Sequence, residues 1–537
     1  MKKGYKFILS LGLLGTLGTA CDVTDLQPIA DLSETTAFET PERIELAVTG
    51  VYDGAQSGFY AGGAVRGYPF GAAHLQQGDM RGEDMVSVAA FYGITYDGTY
   101  DAATPNNGFF WQTIYAMVNR ANVVIEGIRS APTNAALTQE LKNSYEAELR
   151  FLRAVGHFYL LVNFSRPFSD NPNAADRGVP YRERAVGTGT GVSAEEAGQQ
   201  PRGTVTEAYT KLLADLEFAE TNLPATRAAN RQITRATKGA AIAFKTRVRL
   251  HQNNWAAVIT EANKLVPVSG NLISAVGGYQ LTATPMGAFG AANKSNPESI
   301  FSIENNDVDN GGNNGASPAM YNASVAPILG RGIIAISPLI WNQSFFPAND
   351  FRKSAAMVVQ DGDASPGRGG MFTRKYADAV NRTDNAPIIR YAEVLLNLAE
   401  AIARNANAVD PRAINLLNAV RNRAVPADAD RYTAASFTDA NSLIRAILNE
   451  RRIEFLAEGM RWLDIHRLAQ DPNFSTGGIP AKISRTLNFT ALYTNIPTTT
   501  FALLPAIPYA DRRFVWPLPQ EEIANNPVLA KQQNPEW

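Results

Sequence analysis

Residues 387–404 read PIIRYAEVLLNLAEAIAR, and 449–467 read NERRIEFLAEGMRWLDIHR. In the first stretch Arg390, Glu393, Asn397, Glu400 and Arg404 recur at spacings of 3, 4, 3 and 4. That spacing puts them in one narrow polar stripe on an otherwise apolar helix, with Pro387 expected in its first turn. Such a helix is mostly buried and needs charged partners along the stripe. In the second stretch Glu450, Glu454 and Glu458 share a face at i, i+4, and Arg451, Arg452 and Arg461 are expected to pair with them. Gly459 is expected to end this helix in a left-handed conformation. Asp410-Pro411 caps a further helix with Ile414, Leu417 and Val420 inward.

Helical patterning extends outward from there. It is predicted at about 108–129, 137–163, 203–222, 235–252, 254–266, 387–423 and 438–470, with an earlier helix opening at Pro41 behind the Thr40 cap. The elements follow one another as helix pairs of 30–45 residues. The expected fold is therefore mainly α, a tetratricopeptide-like helix-pair stack. A large loop-rich insertion at 268–385, rich in Gly and Asn, interrupts it and carries a short strand at 299–304. Residues 58–107 read as loops and short hairpins, and 165–202 as a long loop. The tail, 471–537, is Pro-rich and irregular. The expected organisation is a leader at 1–20, a leash at 21–40 and a single domain at 41–537, with its scaffold at about 41–267 and 387–470.

The N-terminus sets the expected location. Lys2, Lys3 and Lys6 precede an apolar run, 7–17, which is too short to span a bilayer. Gly18, Thr19 and Ala20 then lead into Cys21, the only cysteine among 537 residues. Cleavage before Cys21 would expose its thiol for acylation, so the leader resembles a bacterial lipoprotein signal, with Cys21 the lipidation site. Asp22 and Asp25 follow the anchor. A single cysteine excludes an internal disulfide. The net charge of −2 gives no basic field for nucleic acid.

No catalytic motif emerges, and no enzyme activity is expected. His74, His157, His251 and His466 lie in no metal-binding spacing, and His157 and His251 read as packing residues within helices. No G-x-S-x-G elbow is present. The Gly-Thr run at 187–191 reads as a flexible loop. The glutamates 450, 454 and 458 are interleaved with arginines and read as ion-pair partners rather than a glycosidase pair. Asp307, Asp309 and Asn310 faintly suggest calcium but lack the rest of an EF-hand loop. No metal or cofactor is therefore expected.

Several segments in order along nearly the whole chain resemble the SusD/RagB family of surface glycan-binding lipoproteins. They are LQPIADLSETTAFETPERIELAVTGVYDGA, WQTIYAMVNRANVVIEGI, YEAELRFLRAVGHFYLLVNFSRPFS, YTKLLADLEFAETNLP, RYAEVLLNLAEAIAR, ERRIEFLAEGMRWLDIHRLA and VWPLPQEEIANNPVLAKQQNPEW. The resemblance implies an outer-membrane, lipid-anchored protein facing the cell exterior. It would bind oligosaccharides, or peptides as in RagB-like members, and act as a lid on a SusC-like TonB-dependent transporter. A helical scaffold without ligand is the alternative. Apolar sugar faces pack on flat aromatic rings while loop polar groups bond the hydroxyls. Candidate ligand contacts are therefore loop aromatics: Tyr92, Tyr96 and Tyr100, then Tyr321, then Trp341, Phe345 and Phe346. Asp79 and Arg81, with Asp84 nearby, are the candidate polar contacts; each aromatic taken alone could equally be a core residue.

Overall fold

A computed structural model describes residues 37–58, 66–187, 191–228, 231–290, 294–326, 328–363, 365, 367–425, 427, 430–494 and 503–537. The leader, Cys21 and nearly all of the leash lie outside these residues, as does the centre of the 187–191 run.

Twelve helices of eight residues or more are present among the described residues. They are α1 Pro41–Gln56, α2 Ala73–Arg81, α3 Ala90–Asp97, α4 Pro105–Ser130, α5 Gln139–Phe164, α6 Val205–Asn222, α7 Lys238–His251, α8 Trp255–Ala262, α9 Tyr391–Ala406, α10 Pro411–Arg421, α11 Ala440–Glu454 and α12 Met460–Arg467. Side-chain caps fix several of their starts, as Thr40 does for α1, Thr138 for α5 and Asp410 for α10. At α6, Thr204 and Glu207 form a reciprocal capping box.

The helices stack in sequence. α4 packs on α5, α5 on α6, α6 on α7, α7 on α8, and α8 directly on α9. The chain thus leaves the stack after Ala262 and rejoins it at Tyr391, with the intervening residues built on as an insertion. Part of that insertion, with Met85–Ser87 from the N-terminal half, forms a four-stranded sheet. Its order is β1 Met85–Ser87, β3 Ile334–Ile336, β5 Met371–Thr373 and β4 Val358–Gln360. A second, two-stranded sheet pairs β2 Ser299–Ile303 with β6 Ala386–Arg390, antiparallel.

Some expectations need correction. Pro387 does not open a helix. Residues 386–390 are fully buried strand, and α9 begins at Tyr391. The apolar run Pro387-Ile388-Ile389 fits either state by period, and pairing with β2 decides it. The segment 58–107 is not all loop, because it contains α2 and α3. Both are short and buried on most of their faces, so neither shows a clean amphipathic stripe.

The polar stripe of α9 finds a partner at every position. Glu393 accepts from Arg247 at 2.7 and 2.6 Å. Asn397 accepts from Arg451 at 2.6 Å. Glu400 accepts from Arg467 at 2.8 and 2.7 Å, and Arg404 reaches Asp471 at 2.8 Å. Arg390 binds Glu298, Glu454 and Glu458.

The partners of the three glutamates are not the local arginines expected. Glu450 pairs with Arg352 and Arg421. Glu454 pairs with Arg352, Arg390 and Arg423, and Glu458 with Lys375 and Arg390. Arg451 turns instead to Asp464, while Arg452 and Arg461 turn to Glu83 and Asp84. Intrahelical spacing offers only exposed pairs of small value, whereas buried groups take the partners that tertiary packing supplies. Gly459 does adopt a left-handed φ of 69°, but α11 ends earlier, at Glu454.

Burial alone would raise the Glu454 carboxyl, yet Arg423, Arg390 and Arg352 together hold it at about 2. Glu454→Ala would leave these cations facing one another in a dry interior. The expected loss is about 3–5 kcal/mol of unfolding free energy in urea titration; a loss below about 1 kcal/mol would show the network to be dispensable.

The four histidines are buried. Burial pushes His74, His157 and His466 down to about 3, and His251 well below its ordinary value. All four are neutral in the fold. In the unfolded chain they take up protons below about pH 6.5, so stability is full above that pH and falls as pH drops toward 3. Asp79 and Asp384, raised by burial to about 8 and about 6, and Lys482, lowered by burial to about 7, work in the opposite sense and largely cancel the histidines between pH 7 and pH 5.5. Between pH 5.5 and pH 4 the net loss in chemical denaturation should be about 4 kcal/mol. Equal or greater stability at pH 4 would contradict this balance.

Candidate loop-face binding site

The structure assigns most of the aromatics singled out from sequence to the core. In α3 the i, i+4 pair Tyr92 and Tyr96 points inward, 2% and 1% exposed. Tyr92 donates to the Gln76 amide oxygen and to the Asn314 carbonyl. Tyr96 donates to the Ile483 carbonyl at 2.8 Å. Tyr100 is buried beside Trp516 and Trp537 and donates to the Arg513 carbonyl. Tyr321 is buried and donates to Asp79 Oδ2 at 2.7 Å.

Asp79 and Arg81 are equally internal. Asp79 also accepts from the Gly459 backbone at 2.9 Å, and burial raises its carboxyl to about 8. The Arg81 guanidinium lies 3.4 Å from the Trp462 ring centroid and donates to Asn163 Oδ1 at 3.1 Å. Asp84 is buried against Arg452. These groups tie α2 and α3 to the insertion and to α12. As placed here they offer no surface to a ligand.

The third set is divided. Phe346 is buried, while Trp341 and Phe345 are half-buried. Trp341 packs edge-on against Phe346 and Tyr493 with the Lys353 ammonium 5.0 Å from its centroid, and Phe345 lies under Arg452. The suspected calcium loop caps itself. Asn306 Oδ1 accepts from the backbone of Val308 and Asp309, and Asn310 Oδ1 accepts from Gly312.

What the structure does bring together at the surface is a ring of loops around the start of α3. Half-buried Phe91 sits there, with the Arg66 guanidinium 5.4 Å from its centroid and 5.6 Å from that of Phe109. The 312–315 turn closes against Arg66. A Cβ on Gly315 would meet the Arg66 carbonyl at about 2 Å, so only glycine permits the approach. Exposed Asn313 and Asn314 receive Arg331 Nη1 at 3.1 and 2.9 Å. Beside Gly332 lies the Arg368 guanidinium. Asn488 donates to the Asp363 and Ser365 carbonyls at 2.9 and 3.0 Å. Arg485 completes the circuit by lying over Gly93 and pairing with Asp97 at 2.9 Å.

The face thus offers one flat ring, exposed amides and several guanidinium forks on loops anchored to a rigid body. That combination can stack on an apolar sugar face and bond its hydroxyls. Sequence reasoning chose Tyr92 and Tyr96 and passed over Phe91. No local stripe marked it, because Thr95, one turn on from Phe91 along α3, is buried as well. The arginines carry no local signature; they meet only through tertiary structure.

Comparison with known proteins agrees with this architecture. The family model described as SusD family matches residues 360–537. A second, described as starch-binding associating with outer membrane, matches residues 28–250. SusD-like protein P38 of Formosa agariphila is 25% identical, over 84% of this chain and 89% of its own length. A SusD superfamily crystal structure from Bacteroides fragilis superposes with a TM-score of 0.71 at 26% identity, covering 92% of this chain and 99% of that one. Surface glycan-binding protein A of Bacteroides uniformis shares the fold at 20% identity, with a TM-score of 0.67 and coverage of 92% and 99%. Stack, insertion and both halves of the sequence agree: the chain is a member of the SusD-like family.

Proposed function

We propose that this protein captures glycan on the loop face around Phe91 and delivers it to a SusC-like TonB-dependent transporter, while Cys21 anchors it by lipid to the exterior of the outer membrane. The carrying observation is the ring of loops itself. It presents an aromatic ring and exposed amides on a surface whose neighbouring helices and strands are tightly buried. The relatives named as SusD-like, and a family model described as starch-binding and outer-membrane associated, support the glycan reading and the location. No helix among the described residues is long and apolar enough to cross a membrane. The reading assigns binding without catalysis. Glu450, Glu454 and Glu458 are fully engaged by buried cations and are not available as acid and base.

Affinity electrophoresis against a panel of polysaccharides and peptides tests this. Retardation by at least one glycan is expected. Phe91→Ala should weaken that binding about tenfold, or about 1.4 kcal/mol, with a single cooperative thermal transition retained. Binding to peptides alone, or undiminished glycan binding by the variant, would reject the proposed site.

A further inference from the structure

Arg66, Arg331, Arg368 and Arg485 approach the same ring of loops from four separate segments. Charge on this face is not balanced. Arg485 is matched by Asp97 at 2.9 Å, while Arg368 has only a long contact of 3.9 Å to Asp363, with both side chains about two-fifths exposed or more. Among the described residues Arg66 and Arg331 have no carboxylate partner at all. Arg66 contributes its guanidinium to the rings of Phe91 and Phe109. Its Nε is buried without a hydrogen-bond acceptor. Arg331 makes its three contacts through Nη1, to Asn313, Asn314 and the Met320 sulfur, which leaves the other edge of its fork unengaged among the described residues.

In the interior the guanidinium groups of Arg247, Arg352, Arg390 and Arg467 are matched to carboxylates, and Arg81 and Arg202, which lack one, donate to carbonyl and amide oxygens instead. On the loop face the surplus is positive, although the whole chain carries −2. Guanidinium groups only donate. They match the paired oxygens of a carboxylate or sulfate far better than the mixed donors and acceptors of neutral sugar hydroxyls. Stacking on Phe91 and Phe109 fixes the plane of the Arg66 fork, so less side-chain freedom is lost when an anion docks.

We infer that the loop face selects an anionic oligosaccharide, one bearing carboxylate or sulfate-ester groups, with Arg66 and Arg331 as the principal anion contacts beside the Phe91 ring. This rests on the proposed glycan-binding function and narrows it. The electrostatic share of such binding is screened by salt, because exposed charges interact weakly beyond a Debye length of about 8 Å at physiological ionic strength.

The test is calorimetric titration of the mature protein with oligogalacturonate, sulfated carrageenan oligosaccharides and neutral maltoheptaose, in 50 and 300 mM NaCl. At least one of the two anionic probes should bind, with affinity falling fivefold or more at the higher salt, while maltoheptaose binds at least tenfold more weakly. Which anionic probe prevails distinguishes uronate from sulfate ester. Arg331→Gln should reduce anionic binding tenfold, and Arg445→Gln, an exposed change on α11, should leave it intact. A folded Arg331→Gln variant with full, salt-sensitive affinity would overturn the assigned contacts. Tight, salt-insensitive binding of maltoheptaose alone would overturn the anionic inference and leave glycan capture standing. Absence of binding to every saccharide, including the wider panel above, would remove both.

Discussion

The structure turns on the charged segment 450–458 at the end of α11. From this one stretch Glu450 and Glu454 hold Arg352 ahead of β4. Glu458 holds Lys375 just after β5, and Glu454 and Glu458 together hold Arg390 at the end of β6. Arg452 reaches back to Glu83 and Asp84, immediately before β1. Three of the four strands of the insertion sheet are thus fastened to one nine-residue segment at the end of α11. Charges buried this deeply cost a great deal if any partner is missing, so the arrangement tolerates little slippage. The sheet strands are only three residues long and could not fix their own register by ladder bonds alone.

That fastening explains how loops can carry a site. β1 runs directly into the Phe91 segment, β3 begins just after Arg331, and β5 just after Arg368. Fixing the strands fixes where those loops emerge, and the helical stack supplies a densely packed body beneath them. The buried tyrosines serve the same end. Tyr321 on Asp79 and Tyr96 on the Ile483 carbonyl join α2 and α3 to segments hundreds of residues away in sequence. Their hydroxyls satisfy polar atoms that would otherwise be stranded in the core.

The helical stack was legible because it is periodic. The stripe Arg390 to Arg404 foretold a buried helix with charged partners, and every position has one. The stripe could not reveal which partners, since Arg247, Arg451 and Arg467 are set by packing. The strand at 386–390 was missed because a short apolar run has no period of its own and its identity comes from pairing with β2. The site was legible only in kind. Loops were the right place to look, but a tyrosine is as useful for tying a core together as for stacking on sugar, and burial decides between the two. Phe91 and Arg331, 240 residues apart, share a face for reasons no local pattern encodes.

If segment 450–458 anchors the sheet, loosening it should be felt on the loop face before it is felt in the stack. The direct measurement is amide hydrogen exchange on an Arg352→Met/Lys375→Met variant, which keeps side-chain bulk but removes both cations on the insertion side. The account predicts faster exchange in β4 and β5, in the β1 and β3 strands paired to them, and in the loops bearing Phe91, Arg331 and Arg368, with α4 to α7 protected as in the parent. Unchanged exchange in those strands, or a uniform loss across the helical stack, would contradict it.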